Sequence, residues 1–333
     1  MQVGLGFWAS KCLLSAVELG LFSELGRQPM TGRRIEAVLG LHPRATFDFL
    51  DALLALGFLQ REGEGEEAVY RNTEETWIFL DRASDRYIGG ILEMANARLY
   101  RYWGDLTEAL RTAKPQNEVK HVGKAVFEAL YANPENLERF MNAMSGISMG
   151  NFNAFAQKFD FSPYRTMCDV GGATGQLSIL VARQNPHLKL TSFDLPPVAP
   201  IARKNIECAG LGDRIETAVG DFFTEPLPKA DLITMGMILH DWNLEKKMHL
   251  IRSVHAALPP GGAFVAIENL IDDARRENIF ALLMSLNMLI EFGDAFDFTG
   301  ADFARWCREA GFQRTEVLHL AGPASAAIAY KSR

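Results

Sequence analysis

Apolar residues recur at near-helical spacing through Val3, Phe7, Leu13, Leu14, Val17, Leu21 and Phe22, and the pattern runs on from Ala16 to Leu25. This predicts an amino-terminal helix with more apolar surface than a small domain can cover. Further helical patterns span Gly32 to Leu39 and Pro43 to Leu56. The period then changes: Phe58 to Arg61 and Ala68 to Arg71 read as two strands turned by Glu62 to Glu67. Helices followed by one hairpin make an otherwise all-helical, winged-helix unit. Residues from about 85 to 160 return to a helical pattern, and from 163 strands alternate with helices. Strands are expected near 165–170, 189–193, 214–219, 230–236 and 263–268, with an antiparallel pair near 313–320 and 325–331. That alternation predicts the α/β class, a doubly wound, Rossmann-like domain. The expected boundaries are 1–90 for the winged helix, 91–160 for a helical linker and 161–333 for the α/β domain.

Composition narrows the partners. A winged helix suggests DNA binding, but the net charge is -7 and the pI is about 5.6. Through residue 90 there are 9 basic against 13 acidic residues, and Glu62, Glu64, Glu66 and Glu67 would place the wing against phosphates of like charge. No nucleic-acid partner is expected. Cys12, Cys168, Cys208 and Cys307 lie far apart without a C-x-x-C pair, so neither a zinc site nor a disulfide framework is predicted. Polar residues interrupt every apolar run before the roughly 18 residues a membrane span needs. The start, Met1 to Trp8, lacks the features of a signal peptide. A cytoplasmic protein with no membrane partner and no metal is therefore expected.

The chemistry gathers at Asp169-Val170-Gly171-Gly172-Ala173-Thr174-Gly175, between a strand pattern and a helical one. Glycine lets the backbone take positive φ there and lets a ligand approach closely. Asp169 would repel a pyrophosphate on the helix amino terminus, so a nicotinamide dinucleotide fits poorly. An amino group or a sulfonium fits well. Asp194 ends the next strand, where an acid can accept both hydroxyls of a ribose. Asp221 follows the third strand and precedes Phe222 and Phe223, an acid beside aromatic faces that suits a purine and its exocyclic amine. Three acids at three successive strand ends describe a nucleoside site without a phosphate clamp, as S-adenosyl-L-methionine requires.

On these motifs the chain resembles the class I, S-adenosylmethionine-dependent small-molecule O-methyltransferases. Asp169 to Gly175, Ser192-Phe193-Asp194-Leu195-Pro196, Gly220-Asp221-Phe222-Phe223, Ile238-Leu239-His240-Asp241-Trp242 and Leu258-Pro259-Pro260-Gly261-Gly262 occur in the family's order and spacing. The resemblance implies that the winged helix is an interlocked homodimerisation domain and that Asp169, Gly171, Gly172, Gly175, Asp194, Leu195, Asp221 and Phe222 hold the cofactor. It also implies that the helices Met94 to Trp103 and Phe127 to Met149, the latter including Tyr131, wall the acceptor pocket. Trp103, Phe140 and Met144 are the candidates there. Asp241 is expected to meet the acceptor, as are Met284, Asn287, Met288 and Glu291 from one helical face, with Asn287 orienting a polar substituent.

Methyl transfer to a hydroxyl requires the oxygen to lose its proton. A phenol with pKa about 10 is mostly protonated at neutral pH, and an imidazole titrating near about 6.5 can take that proton. His240 follows the strand pattern Asp231 to Leu239, so it should emerge at the ligand edge with Asp169 and Asp194. Glu268, ending the next strand pattern, is expected to bond the far imidazole nitrogen and fix its tautomer. His249 and His255 receive no role. Transfer to sulfur or nitrogen on the same scaffold, and a regulator that only senses the cofactor, remain open alternatives.

Three positions depart from the family. Ala173 replaces a third glycine, a change expected to be tolerated. Gly236 stands where several plant members carry a cofactor-binding lysine, and Met235 or Met237 is expected to fill that space. Asp297 would replace a second orienting glutamate with a side chain one methylene shorter.

Overall fold

The computed structural model describes residues 1–122 and 134–333, so Phe127 and Tyr131 lie outside the described residues. The chain divides into two compact units, Met1–Arg101 with Asn142–Ile147, and Tyr102–Met141 with Ser148–Arg333. The helix Pro134–Lys158 passes through both.

In the first unit the single predicted amino-terminal helix is two, Gly6–Glu18 and Leu21–Arg27. Gly20, at φ +73°, turns the chain between them in the left-handed region that other residues resist. Only the second half of the first helix faces the core, through Leu14, Ala16 and Val17; Phe7 and Trp8 are exposed. The helices Gly32–Leu39 and Pro43–Ala55 start where local chemistry satisfies their free N–H groups. Thr31 caps Arg34, and Pro43 occupies a first-turn position that needs no donor. The wing strands β2 (Leu59–Glu62) and β3 (Val69–Asn72) are joined by a strand the hydrophobic pattern did not predict, β1 (Met30–Thr31), so the unit carries a three-stranded sheet. Two residues are too few to show a period. Val17, Leu21, Phe22, Ile35, Leu50, Leu53 and Tyr70 close its core.

The second unit is built on a seven-stranded sheet ordered β6-β5-β4-β7-β8-β10-β9. Its strands are β4 (Thr166–Val170), β5 (Lys189–Asp194), β6 (Ile215–Val219), β7 (Leu232–Gly236), β8 (Ala263–Glu268), β9 (Arg314–Ala321) and β10 (Ala324–Tyr330). The first five pair in parallel, and β10 and β9 add an antiparallel edge. Every residue of β8 is buried, which is why it reads as a continuous apolar run rather than an alternating one. Strand order reverses between β4 and β7, and α/β sheets bind ligands in the crevice beyond the strands' carboxyl ends at such a switch point.

Candidate active site

Asp169, Asp194 and Asp221 lie at or just beyond the carboxyl ends of their strands at this edge. Asp169 is the penultimate residue of β4, fully enclosed, and its Oδ1 accepts the Thr234 hydroxyl from β7 at 2.8 Å. Burial pushes its carboxyl up to about 7 despite that hydrogen bond, with Asp194 adding to the rise. Asp194 ends β5; its Oδ2 accepts the Ala173 N–H at 2.8 Å and its Oδ1 the Leu195 N–H at 2.7 Å. These bonds fix the carboxylate while leaving each oxygen a lone pair. Burial raises this carboxyl too, against the two N–H groups.

The glycine turn folds onto the end of β5, with the Gly171 and Gly172 N–H groups donating to Phe193 O. Gly171 has φ +75°, and a Cβ there would overlap Ile238 two residues before His240. A Cβ on Gly172 would overlap Ser192 Oγ, a buried hydroxyl with no hydrogen-bond partner among the described residues. Gly175, at φ +75°, caps the helix Gln176–Gln184. Ala173 takes the left-handed conformation at φ +48°, so the departure from glycine carries strain. Asp221 Oδ1 accepts the Phe223 N–H at 2.9 Å, and Phe222 lies edge-on to Phe223 and Trp242, with centroids 4.8 and 6.1 Å away. A tight glycine turn, an orphaned hydroxyl and three acids at adjacent strand ends fit a cationic amino acid joined to a nucleoside.

His240 sits in the turn Leu239–Asp241 after β7, almost fully buried. Its Nδ1 lies 3.5 Å from Asp297 Oδ1 and its Nε2 lies 3.3 Å from Asp241 Oδ1. Glu268 differs from expectation. Its Oε1 accepts the backbone N–H groups of Ile238 and Leu239, at 3.2 and 2.9 Å, so it holds the turn that carries His240 rather than the ring nitrogen. Geometry explains the exchange: β7 and β8 are neighbours, and the acid ending β8 reaches the backbone leaving β7. His240, Glu268 and Asp297 nevertheless offer atoms all within 4.8 Å of one another. Burial alone would lower the His240 imidazolium, but Asp241, Glu268 and Asp297 override it and hold its pKa up to about 10. Burial pushes Asp241 up to about 6 and Glu268 up to about 7, each against the attraction of His240.

The helix Ile279–Phe292 packs against the His240 turn. Its Asn287 Oδ1 accepts the Trp103 indole N–H at 2.9 Å, which brings together two candidates 184 residues apart. Met284 is half-buried and Met288 buried on this helix. Phe140 instead packs in the cluster of Leu137, Met141 and Val198 with Ala173 and Leu195, beside the glycine turn. Met144, half-buried, belongs to the stretch of its helix that groups with the first unit. The Phe152 ring packs over Gly236. Met235 is in the core, Met237 is held at φ +56°, and the Phe152 ring would meet a Cβ on Gly236 at 2.9 Å. Sequence reasoning missed Lys247, which lies wholly buried beside this site. Its position in the apolar stripe with Leu250, Ile251 and Val254 was the available signal.

Known proteins match this architecture along its whole length. The chain belongs to the O-methyltransferase family: the O-methyltransferase domain matches residues 103–313 and the O-methyltransferase dimerisation domain residues 1–82. It is an S-adenosylmethionine-dependent methyltransferase with a Rossmann-like catalytic domain. The tetracenomycin polyketide synthesis 8-O-methyltransferase TcmO of Streptomyces glaucescens is 39% identical over 333 residues, covering 100% of this chain and 96% of that one. The N,N-dimethyltransferase OxyT of Streptomyces rimosus is 34% identical over 314 residues, 94% of this chain and 90% of its own. The crystal structure of human N-acetylserotonin methyltransferase in complex with S-adenosylmethionine superposes with a TM-score of 0.92 at 30% identity, covering 100% of this chain and 96% of that one. No helix among the described residues is long and apolar enough to cross a membrane.

Proposed function

We propose that this enzyme methylates a phenolic hydroxyl of an aromatic, polyketide-like metabolite, with His240 as general base, and that it works as a cytoplasmic homodimer through its amino-terminal unit. The observation that carries the reading is the buried imidazole after β7, with Asp297 at Nδ1 and Asp241 at Nε2. Similarity to a polyketide 8-O-methyltransferase supports the acceptor class. Bound S-adenosylmethionine would supply a methyl group activated on a sulfonium, and S-adenosylhomocysteine would leave.

Asp169 would take the cofactor's amino group, Asp194 the ribose hydroxyls, and Asp221 with Phe222 the adenine. Gly171, Gly172, Gly175 and Leu195 shape the turn around it. His240 Nε2 would take the proton as the acceptor's O–H bond breaks, leaving the electron pair on the oxygen. Asp297 and Asp241 stabilise the imidazolium, and Glu268 holds the turn in place. Trp103, Asn287, Met284 and Met288 would hold the flat acceptor, with Phe140 further along the pocket wall.

Similarity to an N,N-dimethyltransferase supports a second reading, transfer to an amine nitrogen. One experiment separates them: transfer of labelled methyl to a panel of polycyclic phenols and aromatic amines by wild type and His240→Ala, with cofactor affinity measured by calorimetry. The proposal expects labelled phenol ethers, a loss of about a hundredfold or more in kcat for the variant, and unchanged cofactor affinity. Unchanged kcat would end the base assignment, and label confined to nitrogen would end the acceptor assignment.

A further inference from the structure

Lys247 lies in the first turn of the helix Leu244–Ala257, at a position where the stripe Leu250, Ile251 and Val254 calls for an apolar side chain. It is wholly buried, whereas Lys246 beside it is exposed. Its ammonium donates to Trp242 O, one residue past Asp241, and to Phe296 O at 2.8 Å, one residue before Asp297. The remaining face of the ammonium lies against the Phe296 ring, 3.6 Å from its centroid. A buried ammonium is costly to desolvate, and an apolar residue of similar volume would fill this space without that cost. Its placement therefore calls for another reason.

The two carbonyls belong to the two segments whose side chains flank opposite nitrogens of His240. Asp297 reaches Nδ1 from one, and Asp241 reaches Nε2 from the other. The geometry points to Lys247 as a positioning residue that ties the Asp241 and Asp297 segments together and so holds both carboxylates against the His240 ring. The charged groups facing this centre are Asp241 on the turn, Glu268 on β8, Asp294 and Asp297 on the loop after the helix Ile279–Phe292, and Glu291 on that helix. Burial lowers the Lys247 ammonium to about 8, with Glu268, Asp297, Asp241 and Asp294 opposing the fall. Its charge is thus held by the same acids that hold the charge of His240. Without its two carbonyl bonds the Asp241 and Asp297 segments are no longer held against the ring, so the imidazolium loses part of its support and its titration moves to lower pH.

This inference rests on the site geometry and bears on the base proposed above, and its test needs no acceptor. Histidine side-chain nitrogens are titrated by NMR in wild type, Lys247→Met and Lys247→Gln, with the His240 signal assigned by its loss in His240→Gln. Lys247→Met removes both donors and the charge; Lys247→Gln keeps a donor without the charge and remains informative if the methionine variant fails to fold. The expected result is a fall of the His240 midpoint by about one pH unit, a tenfold loss in proton affinity, in whichever of the two variants is folded by circular dichroism. An unmoved or raised midpoint in a folded variant overturns the inference. Failure of His240→Ala to affect methyl transfer would instead overturn the base assignment and leave this midpoint shift standing.

Discussion

Asp169→Asn makes the tension between cofactor binding and stability measurable. The folded state pushes the Asp169 carboxyl up to about 7, chiefly by burial, whereas an unfolded aspartate titrates near about 3.9. The folded protein therefore binds this proton more tightly than the unfolded chain. The native state has its full stability from this group below about pH 4 and loses it as pH rises through about 7. Integrating that linkage gives a penalty of about 1.5 kcal/mol at about pH 5 and about 4 kcal/mol at about pH 8. Asparagine has no charge to bury, so the stability difference between variant and wild type should move by about 2.5 kcal/mol in the variant's favour across that window. The absolute difference is smaller, because an amide N–H left without a partner costs about 1–3 kcal/mol. Urea unfolding at fixed protein concentration and several pH values reads the quantity directly. A difference that stays constant with pH would refute the argument that Asp169 is held as a strained, buried acid. The same substitution should weaken S-adenosylmethionine binding by roughly 10- to 100-fold, the range for losing a hydrogen bond to a charged group.

Other consequences are independent of that one. Because the pKa of His240 is held up to about 10, the neutral imidazole grows in as pH rises, and kcat/KM should climb through the range from about pH 7 to 9; a flat profile there would contradict the base role. Ala173→Gly should stabilise the protein by about 0.5–1 kcal/mol in urea unfolding, since relief of the left-handed strain exceeds the added freedom of the unfolded glycine. A loss of stability would show that the methyl group packs better than its φ of +48° suggests. Trp103→Phe removes the indole N–H that holds Asn287; the acceptor KM should rise about two- to tenfold with cofactor affinity unchanged, and an unaltered KM would take the pair out of the acceptor pocket.

The sequence alone determined the order of elements in the catalytic unit and the edge at which its chemistry lies. Both depend on local signals: apolar runs set β4 to β8, and the parallel alternation sends Asp169, Asp194, Asp221, His240 and Glu268 to the same ends of their strands. The wing hairpin was legible for the same reason, and the added strand Met30–Thr31 was not, because its partner Tyr70 lies 40 residues away. Only the tertiary structure decided which acid meets which nitrogen. Asp297 reaches His240 Nδ1 from a loop set by the helix Ile279–Phe292, while Glu268 turns to the backbone of Ile238 and Leu239. Side-chain direction at that scale depends on how neighbouring strands and helices pack, which spacing along a chain does not encode. Lys247 shows the same division: its ionisable group at a core position is plain in the sequence, but the two carbonyls that hold it come together only in the folded chain.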